Sequence, residues 1–372
     1  MKRYVPCVLA MAVMVLMGAC ASRGRLSSKK ADAHVSPSAR LDAIHRAQVW
    51  EATDIASMNL RVGPKGHGAF APDETVRCKY ADKVMTGNSP KFTCVIPPDD
   101  EMKVKFGREN GEVYAEVAAT RLFWALGFPA DRMYPVRVLC TDCPAREETT
   151  RDEASGAILF DPASIERKLK GHAIETAPDS GWAWPELDKV EEAAGGASRA
   201  QRDALKLLAV FVQHTDNKPA QQRLLCADEE SEGERGEHGE HGDRGRCAHP
   251  VMMVNDLGQT FGRSNLFNRD HVGSVNLEKW SGSHIWLDAS HCIGDLAPSQ
   301  SGTLDNPTIH EAGRKFLSDL LMRLSDAQLR DLFDVARFDE RAEGNKRQGT
   351  VEEWVSAFKK KRGEIASTTC PS

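Results

Sequence analysis

Eight cysteines follow residue 20: Cys78, Cys94, Cys140, Cys143, Cys226, Cys247, Cys292 and Cys370. In an exported chain an even set like this is a disulfide framework, and in a cytosolic one it points to metal or redox work. The compartment therefore decides what holds the fold together.

The first residues read as an export signal. MKRY supplies positive charge, VLAMAVMVLM is apolar but too short to span a bilayer, and small residues precede Cys20. Residues 1–19 are thus expected to be a signal peptide and Cys20 a lipidation site, as in a bacterial lipoprotein facing the periplasm or cell exterior. Met17, three before Cys20, departs from the usual lipobox residue. Residues 20–41 are polar, without apolar period, and read as a tether between membrane and folded chain. The 372 residues carry 49 basic and 54 acidic side chains, net −5, and loss of Lys2 and Arg3 takes the balance to −7. That acidity argues against nucleic acid as the main partner.

Cys226 and Cys247 bracket an acidic, Gly- and His-containing insert at 227–246 that has no core formers, so a bridge there would staple a loop. Metal capture by His238 and His241 is the lesser reading of that insert. Cys78 and Cys94 sit in strand-like runs and are candidates to pair across a sheet. Cys140-Thr-Asp-Cys143 is a lone CxxC, for which disulfide, zinc and redox roles stay open.

Periodicity predicts an α+β chain. A helix over 42–58 is followed by the glycine turn RVGPKGHGAF at 61–70, with Gly63, Gly66 and Gly68. TVRCKY, KFTCVI, MKVKFG and YPVRVLC read as strands, and residues 112–126 as a helix ended by Gly127. Residues 42–140 are expected to be a small β-rich part, and 141–372 a larger, mainly helical one. Helix openings are expected at Ser198, Thr308, Ser325 and Thr350, each followed three residues later by Gln or Glu. HPVMMVND reads as a strand with a polar exit.

The polar stretch QHTDNKPAQQR, residues 213–223, lies where an apolar helix runs out. Taken in chain order, there is a glycine turn, a strand with Lys105 (or Lys103), and a helix with Glu112 and Glu116 on one face. Asp216 then follows a helix, and Asp256 follows a strand in Asn255-Asp256-Leu257-Gly258. Phosphoryl transfer needs these parts, because positioning and charge neutralisation carry its rate. The arrangement resembles the atypical protein-kinase-like superfamily, with its phosphoinositide-3/4-kinase-like, HipA-like and secretory-pathway kinase groups, over roughly residues 60–265.

The resemblance implies a two-lobed kinase-like fold with a small N-terminal β-rich lobe and a larger helical C-terminal lobe, using ATP and Mg²⁺. It implies Asp216 as catalytic aspartate, Asp256 as principal metal ligand, and Gln221 where the family has a metal-binding Asn. Lys105 would pair with Glu116, with Glu112 as rival. Gly63, Gly66 and Gly68 would cover phosphates, and Val136–Cys140 would be the hinge. Gln for Asn at 221 is one departure, and the distance of the glycine turn upstream of Lys105 is another. A periplasmic location, poor in ATP, is a third.

A competing reading is a non-catalytic lipoprotein, a binding or scaffold module presenting Trp182, Trp184, Trp280 and Trp286 to a protein partner. No GxSxG or HExxH occurs, so hydrolase chemistry has no motif here.

Overall fold

The computed structural model describes residues 35–372, except 86, 88, 147–148, 178–179, 228–246, 263–273, 300 and 344–345. A first helix, α1 (Pro37–Arg46), is capped by Ser36 and followed by an extended segment. The main sheet comes next: β1 (Glu74–Ala81), β2 (Lys91–Ile96), β3 (Asp100–Phe106), β4 (Arg132–Thr141), β5 (Thr150–Arg151) and β6 (Ile158–Arg167). The strand order is β3-β2-β1-β4-β6-β5, and β3 also pairs with β6, so five strands close into a small barrel. Closure leaves no long unpaired edge. β1 runs parallel to β4, with Cys78 opposite Cys140, while the other pairings are antiparallel. Val76, Phe92, Val104, Val136, Val138 and Phe160 fill the barrel's own core.

Helix α2 (Glu112–Leu126) connects β3 to β4 and is buried almost all round, between the barrel and later helices. It stops at Gly127, whose φ of +84° closes the last turn and where a Cβ would lie 1.9 Å from the Glu51 carbonyl oxygen. α3 (Arg199–Val212), α4 (Leu277–Gly282), α5 (Glu311–Met322), α6 (Asp326–Val335) and α7 (Val351–Ser367) form a second core with the apolar side of α2. Ser198, Ser325 and Thr350 open α3, α6 and α7 with complete capping boxes. A three-stranded sheet, β7 (His172–Ala173), β8 (Gln222–Cys226) and β9 (Pro250–Val254), lies among them. Disulfides join Cys78–Cys94, Cys140–Cys143, Cys226–Cys247 and Cys292–Cys370.

Several expectations are corrected. The helix expected at 42–58 instead spans 37–46 and packs on β9, so the tether ends before residue 37 and α1 joins the helical part. The sheet runs on to Arg167, so Cys140 is not its boundary. Val136–Cys140 is a central barrel strand rather than a hinge, and the chain leaves the barrel after β6. α5 begins at Glu311 with His310 as cap, because Thr308 is taken up by a bridge to Ile293. Trp182, Trp184, Trp280 and Trp286 are all buried, which removes the aromatic docking surface. The signal peptide, Cys20, most of the tether, and the insert from 228 to 246 with His238 and His241 lie outside the described residues. Among the described residues, no helix is long and apolar enough to cross a membrane.

Candidate active site

β3 delivers Lys105 at its penultimate position, opposite Lys91 on β2 and Ser164 on β6. Asn110 pins the turn that follows. Its amide donates to the Pro90 and Phe106 carbonyls, and its oxygen accepts from the Glu112 N–H at the start of α2. Glu112 and Glu116, one helical turn apart, then face the strand. The Lys105 ammonium donates to Glu112 Oε2 at 2.7 Å and to Glu116 Oε1 at 2.8 Å. Lys103 pairs with Glu166 instead.

β9 brings in the third carboxylate. Asp256 Oδ1 lies 3.9 Å from Lys105 Nζ and accepts the Gly258 N–H at 3.0 Å. A Cβ at Gly258 would meet Glu112 Cγ at 2.8 Å, so any side chain there would displace Glu112. The backbone N–H groups of Asn255 and Asp256 both donate to the Gln221 carbonyl, at 2.9 and 3.4 Å. The Gln221 side-chain amide donates to Asp216 Oδ2 at 2.9 Å. One residue thereby ties the two aspartates together.

The Asp216 loop is built by α3. Gln213 ends the helix in the left-handed region, with φ +56°, and its amide donates to the Val210 and Asp295 carbonyls. Asn217 is structural: it donates to the His214 and Leu304 carbonyls and accepts from the Thr303 and Leu304 N–H groups. Asp216 is left partly open, with Lys218 Nζ at 3.0 Å from Oδ2 and the Ser299 hydroxyl 3.3 Å from Oδ1.

Charge is unbalanced here. Three carboxylates surround the Lys105 ammonium, which is 1 % exposed, and Glu116 Oε2 is buried without a hydrogen-bond partner. Burial works against the Lys105 charge, but Asp256, Glu112 and Glu116 outweigh it and hold the ammonium well above its ordinary pKa. Burial pushes the Glu116 carboxyl well up, despite Lys105. Burial also raises Asp256, yet Lys105, Glu116, Lys103 and the Gly258 N–H together outweigh it and keep its carboxyl below the usual range. Of these carboxylates Asp256, partly exposed, is the one that could reach a cation; the three do not converge on a common metal position.

The structure thus brings together Lys105, Glu112, Glu116, Asp256, Gln221 and Asp216. It does not bring the glycine turn to them. Gly63 packs on the Arg121 guanidinium, the Gly68 carbonyl accepts from Arg167, and Arg61 pairs with Asp331 and Asp334 on α6. The loop that does reach the cluster joins β1 to β2. Its Ser89 hydroxyl donates to Glu112 Oε2 at 2.8 Å, and Lys91 Nζ lies 3.3 Å from Ser89 Oγ. Burial, then the neighbouring Lys105, lowers the Lys91 pKa. Sequence reasoning missed Ser89, Lys91 and Lys218. Gly87 and Ser89 between two strand-like runs, one strand upstream of the strand that carries Lys105, were the available signal.

No protein-family model matches the chain, and no curated protein matches it in sequence. Among solved structures, the Helicobacter pylori proinflammatory kinase CtkA is similar at a TM-score of 0.39 and 10% identity, with 80% of this chain and 95% of that chain covered.

Proposed function

We propose that the protein is an envelope-anchored, two-lobed, kinase-like protein that binds Mg-ATP and transfers a phosphoryl group. The observation that carries this reading is the Lys105–Glu116 pair, with Asp256 3.9 Å from the ammonium and linked through Gln221 to Asp216. In this reading the barrel is the small lobe and the helical part, entered after β6, the large one.

Asp256 and Gln221 would hold Mg²⁺ and Lys105 the phosphates, and the bound ion and nucleotide would supply charge neutralisation and the phosphoryl group. Glu116 and Glu112 fix the Lys105 rotamer, so little reorganisation is left for the chemical step. Asp216, open on one side, orients the acceptor hydroxyl and takes its proton, while Lys218 beside it offsets the charge that develops. Gly258 keeps the Asp256 turn against α2. The β1–β2 loop, through Ser89, covers the site in place of the Gly63–Gly68 turn. Anchorage through Cys20 places this chemistry on a membrane surface outside the cytoplasm, where the four disulfides are stable.

A second reading, a nucleotide-binding relative without turnover, is favoured by one observation. The Gln221 amide nitrogen, rather than its oxygen, faces Asp216. A Mg-ATP titration of the purified protein, followed by melting temperature and by label transfer from the γ-phosphate, separates the outcomes. A melting shift with transfer supports the enzyme, and a shift alone supports the non-catalytic relative. No shift at millimolar Mg-ATP removes both, because a ligand at 100 times its Kd stabilises by about 2.7 kcal/mol.

A further inference from the structure

Four of the eight cysteines meet at one place in the barrel, and phosphoryl transfer uses none of them. Cys78 lies on β1, between Cys94 on β2 and Cys140 on β4, and the three Sγ atoms all lie within 4.8 Å of one another. Cys78 is bonded to Cys94 and Cys140 to Cys143. Across the two bridges, Cys94 Sγ and Cys140 Sγ are 3.8 Å apart, so sulfurs of different disulfides are in contact. Cys94 and Cys140 are fully buried, and Cys143, at 9 % exposure, is the most accessible of the four.

Stability does not explain both bridges. Cys140–Cys143 has a sequence separation of only 3, the smallest of the four, so it constrains the unfolded chain least. β4 is also already tied to β1 by a continuous parallel ladder. What the short bridge adds is a second disulfide in contact with the first, ending at Cys143, the most accessible of the four cysteines.

We propose that these two disulfides form a thiol–disulfide exchange site, which takes reducing equivalents from an external dithiol and passes them to Cys78–Cys94. A thiolate of the dithiol attacks Cys143 Sγ, forming a mixed disulfide, and Cys140 leaves as a thiolate. The second thiolate of the dithiol attacks its own sulfur in that mixed disulfide, Cys143 leaves, and the dithiol departs oxidised. Cys140, no longer tethered, rotates into line with Cys94 and attacks its Sγ. The Cys94–Cys140 bond forms, the Cys78–Cys94 bond breaks, and Cys78 leaves as a thiolate. Cys143 then attacks Cys140 and Cys94 leaves. Two electrons have moved from the dithiol to Cys78 and Cys94, each of which takes up a proton, and Cys140–Cys143 is restored.

This chemistry stands apart from the phosphotransferase reading. Its structural consequence is local, because Cys78–Cys94 ties β1 to β2, and the loop between these strands carries Gly87 and Ser89. Reduction releases the staple at the base of that loop.

The test uses two variants of the full chain, Cys143→Ser and Cys78→Ser, each leaving one unpaired thiol in the cluster. After acid quenching and thiol alkylation, peptide mapping by mass spectrometry reads the pairs. The expected result is the same new bond from both directions. Cys143→Ser yields Cys94–Cys140 with alkylated Cys78, and Cys78→Ser yields Cys94–Cys140 with alkylated Cys143. Retained Cys226–Cys247 and Cys292–Cys370 bonds identify folded samples. The new bond in a folded sample of either variant supports the exchange site. Its absence from every folded sample, with Cys140 alone alkylated in the first variant or Cys94 alone in the second, overturns it.

Discussion

Asp216 and Asp256 carry the same functional group but meet different surroundings, and this separates their expected roles. Asp256 sits 3.9 Å from a buried ammonium that it shares with two glutamates, whereas Asp216 pairs with the more exposed Lys218. Asp256→Ala is therefore expected to abolish the Mg-ATP melting shift. Asp216→Asn is expected to keep that shift and lower label transfer by about 10²–10⁴-fold, the usual scale of general-base loss. Loss of binding in Asp216→Asn would contradict this division. His214 makes a separate acid prediction. It is fully buried, both ring nitrogens lack partners, and burial, against the pull of Asp216 and Asp256, lowers its pKa to about 4 from the ordinary 6.5. Between these values the unfolded chain binds a proton that the folded chain refuses, so stability falls as pH drops through that window and levels off below it. Urea unfolding at pH 7 and pH 5 should differ by about 2 kcal/mol more in the wild-type chain than in His214→Gln. Equal pH dependence would show that His214 is not held neutral.

Elements show where sequence pattern was enough and where it failed. The capping boxes at Ser198, Ser325 and Thr350 were legible because a cap is a local exchange of hydrogen bonds over four residues. Thr308 carried the same pattern and was overruled by a non-local pairing with Ile293. The elements carrying Lys105, Glu116 and Asp256 were legible because strand, helix and strand-exit each announce themselves by period, whereas the choice among neighbouring residues came from the resemblance. The covering loop was misplaced because three glycines at Gly63, Gly66 and Gly68 are the stronger composition signal. Their positive φ values serve turns that pack on Arg121 and Arg167 instead. Barrel closure by β3 and β6 had no signature, since register between strands some 60 residues apart is not a local property. Gly258→Ala tests the contact between the β9 exit and α2. The added methyl would press on Glu112, which is held by Lys105 and Ser89, at a cost of about 1–3 kcal/mol. Weaker Mg-ATP binding should accompany a drop in melting temperature. A drop with unchanged nucleotide affinity would mean that Glu112 is free to move and is not needed at the site.

At the scale of the whole molecule, the C-terminus is tied down by a bridge that sequence reasoning counted but did not pair. Cys370 lies beyond α7, and Cys292 lies between α4 and α5, so their disulfide closes a loop that contains α5, α6 and α7. α7 packs on both α5 and α6, α5 packs on α3, and α6 also reaches α2, so the bridge restrains the helical core that backs the Asp216 loop. Loop-closure entropy ranks the staples. A separation of 78 corresponds to about 4.5 kcal/mol and the 21 of Cys226–Cys247 to about 3.3 kcal/mol. The paired variant Cys292→Ser with Cys370→Ser should therefore be the less stable, by about 1 kcal/mol relative to Cys226→Ser with Cys247→Ser. Denaturant unfolding under non-reducing conditions measures both. Cys226–Cys247 brackets an insert without core formers, so its loss should leave unfolding a single transition. Loss of Cys292–Cys370 should lower the midpoint for the Trp280 and Trp354 pair, packed against each other in the helical core. The reverse order of stabilities would mean that the C-terminal bridge strains the helical core instead of restraining the unfolded chain.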